Sequence, residues 1–181
     1  SIEVWANPTG PAKGEEGIAG MSNGGFFNLD YYHGGAWGYI NPGGGNNLST
    51  TLLTGSWTQL VLTFDGEQMS LYANGILSNT KKSLPPKFPV ACTTFRLACL
   101  CNVDGAPGPG SAFFDGMLDD IRLYNRALTP EEVAANFNAG AADKGLELLR
   151  SGKSGEIFAD FFQYPARNGV AALIDYSWIT P

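Results

Sequence analysis

Residues 56–79 read "SWTQLVLTFDGEQMSLYANGILSN", and their patterning decides the fold class. Trp57, Leu60, Leu62 and Phe64 form an apolar face with one phase break, interleaved by Thr58, Gln59 and Thr63. Asp65-Gly66 is a hairpin signal, because tight two-residue turns need residues that tolerate positive φ. Met69, Leu71 and Ala73 then alternate with Ser70, Tyr72 and Asn74, and Asn74-Gly75 turns the chain again. Period-two alternation across two such turns predicts a three-stranded antiparallel meander.

Working outward, residues 2–6, 17–22, 25–32, 35–40 and 93–100 read as further strands, with Asn23-Gly24 as a turn. Residues 9–17, 41–47, 84–89 and 102–111 are Gly/Pro-rich connectors. In "FFDGMLDDIRLYNRALTPEEVAANF" (113–137), Asp115-Gly116 makes a turn and Leu118 to Tyr124 alternate as a strand. Thr129 is an N-cap, Pro130 suits the first helical position and Glu132 completes a capping box. Val133, Ala134 and Phe137 give that helix one apolar face, and Gly140 is placed to end it. The predicted core includes Trp57, Leu60, Leu62, Leu71, Phe95, Leu97, Ile121 and Leu123.

Charged residues are only 15% of the 181, against 24 glycines, which suits short strands joined by tight turns. A net charge of −6 without a basic cluster argues against nucleic acid as a partner. No run approaches the roughly 20 apolar residues that span a bilayer. Cys92, Cys99 and Cys101 read as small buried apolar residues. A bridge from Cys92 to Cys99 or Cys101 is the alternative.

Residues 55–80 and 113–137, with "IEVWANP" at 2–8, together resemble the LamG-like jelly-roll family of the concanavalin A-like lectin/glucanase superfamily. The resemblance covers roughly residues 1–140 and implies an all-β, two-sheet antiparallel jelly-roll sandwich with one short helix after the closing strand. It implies that the helix plugs one end of the core. Family members hold a structural calcium through carboxylates, which makes Asp119 and Asp120 candidate ligands. The other reading of these acids is structural, as caps or as partners of Arg122 or Arg126. The family also carries a strand ahead of "IEVW", beside the closing strand. That edge is therefore expected to be covered by a partner chain or by the extension 141–181, in which "GVAALIDYSW" (169–178) reads as the completing strand in cis or in trans.

Tyr31, Tyr32, Trp37 and Tyr39 crowd one hairpin with His33, Asn28, Asp30 and Asn41. Aromatic faces beside amide and carboxylate groups suit sugars, so Tyr31, Tyr32, His33, Trp37, Tyr39 and Asn41 are the candidate ligand-binding residues. The competing reading places the aromatics in the core. His33 is the only histidine, and Glu15-Glu16 and Glu131-Glu132 fall in a loop and a helix turn, so a catalytic pair is not expected. The expected function is a non-catalytic extracellular or cell-surface carbohydrate-binding or adhesion module, with a glycan as partner. The alternatives are a structural surface or filament subunit that self-associates by strand exchange or joins neighbouring domains of a larger parent, and an accessory domain of a glycoside hydrolase.

Overall fold

The computed structural model describes residues 1–21, 27–40, 47–82, 94–100, 112–144 and the short stretches 160–161, 164–165 and 174–175. The elements follow in order as β1 (Ile2–Pro8), β2 (Glu16–Met21), β3 (Phe27–Tyr32), β4 (Gly35–Ile40) and β5 (Asn47–Thr51). Then come β6 (Thr58–Phe64), β7 (Gln68–Ala73), β8 (Ile76–Lys82), β9 (Thr94–Leu97) and β10 (Cys99–Leu100). The rest are β11 (Ala112–Phe113), β12 (Gly116–Leu123), α1 (Pro130–Ala141), a 3-10 turn at Ala142–Lys144, β13 (Asp160–Phe161), β14 (Tyr164–Pro165) and β15 (Ile174–Asp175).

The strands form two sheets. One runs β13-β12-β1-β6-β7-β8, with β14 also on β12; the other runs β10-β11-β2-β3-β4-β5, with β9 on β2. All pairings are antiparallel except β11 with β2. Alternate residues point inward: Ile2, Val4 and Ala6 of β1, Leu60 and Leu62 of β6, and Met69 and Leu71 of β7 meet Ile18, Leu29, Tyr31, Ala36, Leu48 and Phe95 of the other sheet. At Gly38 the facing sheet leaves no room for a side chain: an added Cβ would lie 2.7 Å from Leu62 Cδ1. This is the expected jelly-roll sandwich.

Several local readings change. Trp57 is only half-buried, because Trp57, Gln59 and Val61 share the outer parity of their segment while Leu60 and Leu62 face the core; the phase break in the sequence marks this. The run at 93–100 is two strands, broken at Ala98, whose φ is 56°. β5 is a strand that lacks an apolar alternation and was not expected. Cys99 is disulfide-bonded, which overturns its reading as a plain core residue; its partner lies outside the described residues.

The helix does not plug an end of the core. It lies over the outer face of the seven-stranded sheet, so the molecule has a third layer there. Trp5 stacks on Phe137 at 5.6 Å and 17°. Val61, Tyr72, Tyr124, Leu128 and Val133 form a second apolar cluster. This is why all seven residues of β1 are buried, with Glu3, Trp5 and Asn7 facing the helix side. The capping box forms as expected: Thr129 Oγ1 accepts from Glu132 N at 3.3 Å, and Thr129 N donates to Glu132 Oε2 at 2.9 Å. Gly140 does not end the helix but lies within it. An added Cβ there would sit 3.0 Å from Trp5 Nε1, so a larger residue would crowd the indole.

The edge of β12 is paired within the chain, but by a different segment from the one expected. The register sets Ile121 opposite Phe161 and Leu118 opposite Tyr164. The pairing stretches are Asp160–Phe161 and Tyr164–Pro165. The run 169–178 instead places Ile174 opposite Phe95, on β9 of the other sheet.

Candidate functional site

Strand parity sorts the candidate residues. In the β3–β4 hairpin, Asn28 pairs with Tyr39, Asp30 with Trp37 and Tyr32 with Gly35, while Leu29 pairs with Gly38 and Tyr31 with Ala36. Leu29, Tyr31 and Ala36 belong to the core. The first set therefore faces outward, since paired residues share a face and the period is two. Tyr31 is accordingly an interior residue, 1% exposed, with its ring edge-on to Phe114 and its hydroxyl donating to Gly10 O. It is removed from the candidate set. Asn41 lies outside the described residues.

Tyr32, His33, Trp37 and Tyr39 come together on the outer face of the eight-stranded sheet. Trp37 and Tyr39 stack with centroids 6.5 Å apart at 21°, and Tyr32 meets Trp37 edge-on at 6.3 Å. Trp37 Nε1 donates to Tyr32 O at 3.0 Å, which fixes the indole. His33 and Gly34 both have positive φ, 50° and 75°, as a tight two-residue hairpin demands. The exposed imidazole leans on Tyr32, centroids 3.9 Å apart. The result is an ordered aromatic strip, with Tyr32, Trp37 and Tyr39 half-buried and His33 exposed.

Polar groups border the strip. Asn28 and Asp30 lie beside it on β3, and Asn47 and Ser49 are opposite Tyr39 and Trp37 on β5. Glu15 lies close enough to the Tyr39 hydroxyl for its charge to act on it. Burial, then the charges of Glu15 and Asp30, push the Tyr39 phenol up. Burial, then the charge of Glu15, raises the Asp30 carboxyl well above the ordinary carboxylate range. Sequence reasoning missed Glu15, Asn47 and Ser49. Counting parity outward from Trp37 and Tyr39 would have found the β5 pair once β5 was recognised.

A carboxyl with a raised folded pKa binds its proton more tightly when folded, so wild-type stability falls as pH rises through the ordinary carboxylate range toward the folded pKa. Asp30→Asn is therefore expected to raise the melting temperature at pH 7. The gain should vanish near about pH 3, where Asp30 is neutral in both states. A thermal scan at both pH values checks this; equal melting temperatures at pH 7 would count against the raised Asp30 carboxyl.

Asp119 and Asp120 lie far from this strip, on the helix side of the other sheet. Their carboxylates share the Lys144 ammonium, which donates to Asp119 Oδ2 and, at 3.1 Å, to Asp120 Oδ2. Arg122 Nη2 also reaches Asp120 Oδ1 at 3.4 Å. Among the described residues no group of three or more His, Cys, Asp or Glu is placed to hold a metal ion. The two carboxylates carry four oxygens between them and both are engaged by the Lys144 ammonium, whereas calcium takes about six to eight oxygens. Arg126, the other expected partner, instead forms a two-point pair with Glu132 at 2.6 and 2.7 Å.

A sequence model for the concanavalin A-like lectin/glucanases superfamily matches residues 1–134. Among curated proteins, no relative matches at a significant level. A Bacteroides ovatus protein described as carbohydrate-binding superposes with TM-score 0.62 at 17% identity, over 89% of this chain and 44% of that one. Domain 4 of an extracellular GH43 arabinanase from Geobacillus stearothermophilus, solved with arabinotriose, gives 0.53 at 21%, over 74% and 63%. A heptameric SAP-like pentraxin from Limulus polyphemus gives 0.59 at 16%, over 96% and 79%. The chain thus spans less than half of the Bacteroides protein. At these identities the likeness is one of fold.

Proposed function

Because the chain belongs to the concanavalin A-like lectin/glucanases superfamily, we propose that it is a non-catalytic carbohydrate-binding module that works outside the cell. The observation that carries this reading is the ordered strip of Tyr32, Trp37 and Tyr39 on one sheet face, bordered by Asn47, Ser49 and Glu15. Sugar rings present apolar faces that stack on indole and phenol, and hydroxyls that bond to the amide, hydroxyl and carboxylate alongside. A few fixed polar groups around an aromatic floor is the usual composition of a small-ligand site.

The same face supports binding over hydrolysis. A glycosidase pair needs both carboxyl groups open to the scissile bond, and Asp30 is only 3% exposed. The arabinanase domain bound to arabinotriose and the carbohydrate-binding Bacteroides protein favour a glycan as ligand. The disulfide at Cys99 suits an oxidising compartment.

Tryptophan fluorescence and calorimetry against a panel of plant and microbial polysaccharides test the proposal. At least one glycan is expected to bind, and Trp37→Ala should weaken it by about tenfold or more, the behaviour of a central aromatic anchor. No response across the panel, or full binding by a folded Trp37→Ala protein, would overturn it.

A further inference from the structure

Two adjacent carboxylates on one strand should point to opposite faces. Asp119 and Asp120 do not, because β12 bulges there: Asp120 has φ 46°, and the register against β1 shifts between Glu3 and Trp5. The bulge delivers both carboxylates to one cation, the Lys144 ammonium in the turn that follows α1. That ammonium is also flanked by indoles, 5.7 Å from the Trp5 centroid and 5.5 Å from that of Trp57. The Lys144 side chain is 5% exposed.

We propose that Lys144 is a built-in counterion at the position where the sequence suggests a structural calcium, so that the chain neutralises its own carboxylate pair and the fold does not draw on divalent cations. Bringing two carboxylates together is costly unless a cation lies between them. A lysine ammonium meets this need with three donors and no acceptor, and two of those donors go to Asp119 and Asp120. The flanking indoles suit a compact ammonium; calcium would need about six to eight oxygens, where the two carboxylates carry four. Burial alone would lower the Lys144 pKa, but the hydrogen bonds to Asp119 and Asp120 outweigh it and leave the pKa raised. The lysine also ties the end of α1 to the sheet, in a helix whose last turn carries no basic residue.

Thermal unfolding tests this on the full chain. The wild-type melting temperature is expected to be the same in EDTA and in millimolar calcium. Lys144→Met should lower it by about 5 °C or more at pH 7, since the carboxylates lose their counterion. Much of that deficit should disappear in Asp119→Asn/Asp120→Asn/Lys144→Met, where the carboxylate pair is removed together with Lys144 and Arg122 keeps Glu3 as its partner. A saturable rise of the wild-type melting temperature with calcium would overturn the proposal. So would a Lys144→Met protein within about 1 °C of wild type. The wild-type calcium titration stands even if the single variant fails to fold.

Discussion

Glu3→Ala is expected to destabilise the protein by about 3–5 kcal/mol, the usual consequence of deleting one member of a buried charged pair. Glu3 is fully buried on the helix side of β1, and four donors converge on its carboxylate. Gln59 Nε2 at 2.8 Å and Arg122 Nη1 at 3.3 Å reach Oε1, while Tyr124 OH at 3.0 Å and Asn136 Nδ2 at 2.7 Å reach Oε2. These donors come from β6, from β12 and the residue that follows it, and from α1, so a single side chain links both neighbouring strands to the helix. Burial and then the Glu3 charge hold the Tyr124 phenol well above its ordinary range, so it stays a donor. Alanine leaves the four groups in a dry space without their shared acceptor. Glu3→Gln keeps the shape but offers an amide where only an acceptor fits, so an intermediate loss is expected. Urea unfolding of both variants checks the order. A loss below about 1 kcal/mol for Glu3→Ala would mean that water satisfies the network.

What the sequence revealed and what it hid follow from range. The β6–β8 meander was legible because Asp65-Gly66 and Asn74-Gly75 are local turn signals between alternating strands. The capping box of α1 was legible for the same reason, since Thr129 and Glu132 are three residues apart. Features set by distant partners were not. The resemblance supplied a helix but not its seat, because Trp5 and Phe137 meet from opposite ends of the domain. Gly140 read as a helix stop until the indole beneath it was known. Asp119 and Asp120 stayed open between metal ligands and partners of Arg122 or Arg126 because Lys144 lies far along the chain, beyond the helix. In the candidate site, parity alone separates Tyr31 from Tyr32, and a hairpin register read from the sequence would have drawn that line. β5 was hidden because Asn47, Ser49, Thr50 and Thr51 are polar, leaving Leu48 as its single buried residue.

Trp5→Ala is expected to cost about 3–5 kcal/mol, the range for a large aromatic removed from a packed interior, and to release the helix layer first. Trp5 has no exposed surface. Phe137 stacks on its ring, Gly140 lies against its edge, and Lys144 is placed over it. Every one of these contacts comes from α1 or the turn after it. A helix of twelve residues is marginal in water even with a good cap, so α1 depends on this platform. The inter-sheet core is on the other face of β1, built from Ile2, Val4 and Ala6 and their partners, and loses no contact directly. Hydrogen exchange should therefore accelerate strongly across residues 130–141 while the amides of β6 and β7 keep most of their protection. If protection in the two regions falls together, the helix and the sandwich unfold as one cooperative unit, and the outer layer is part of the core's stability instead of an addition to it.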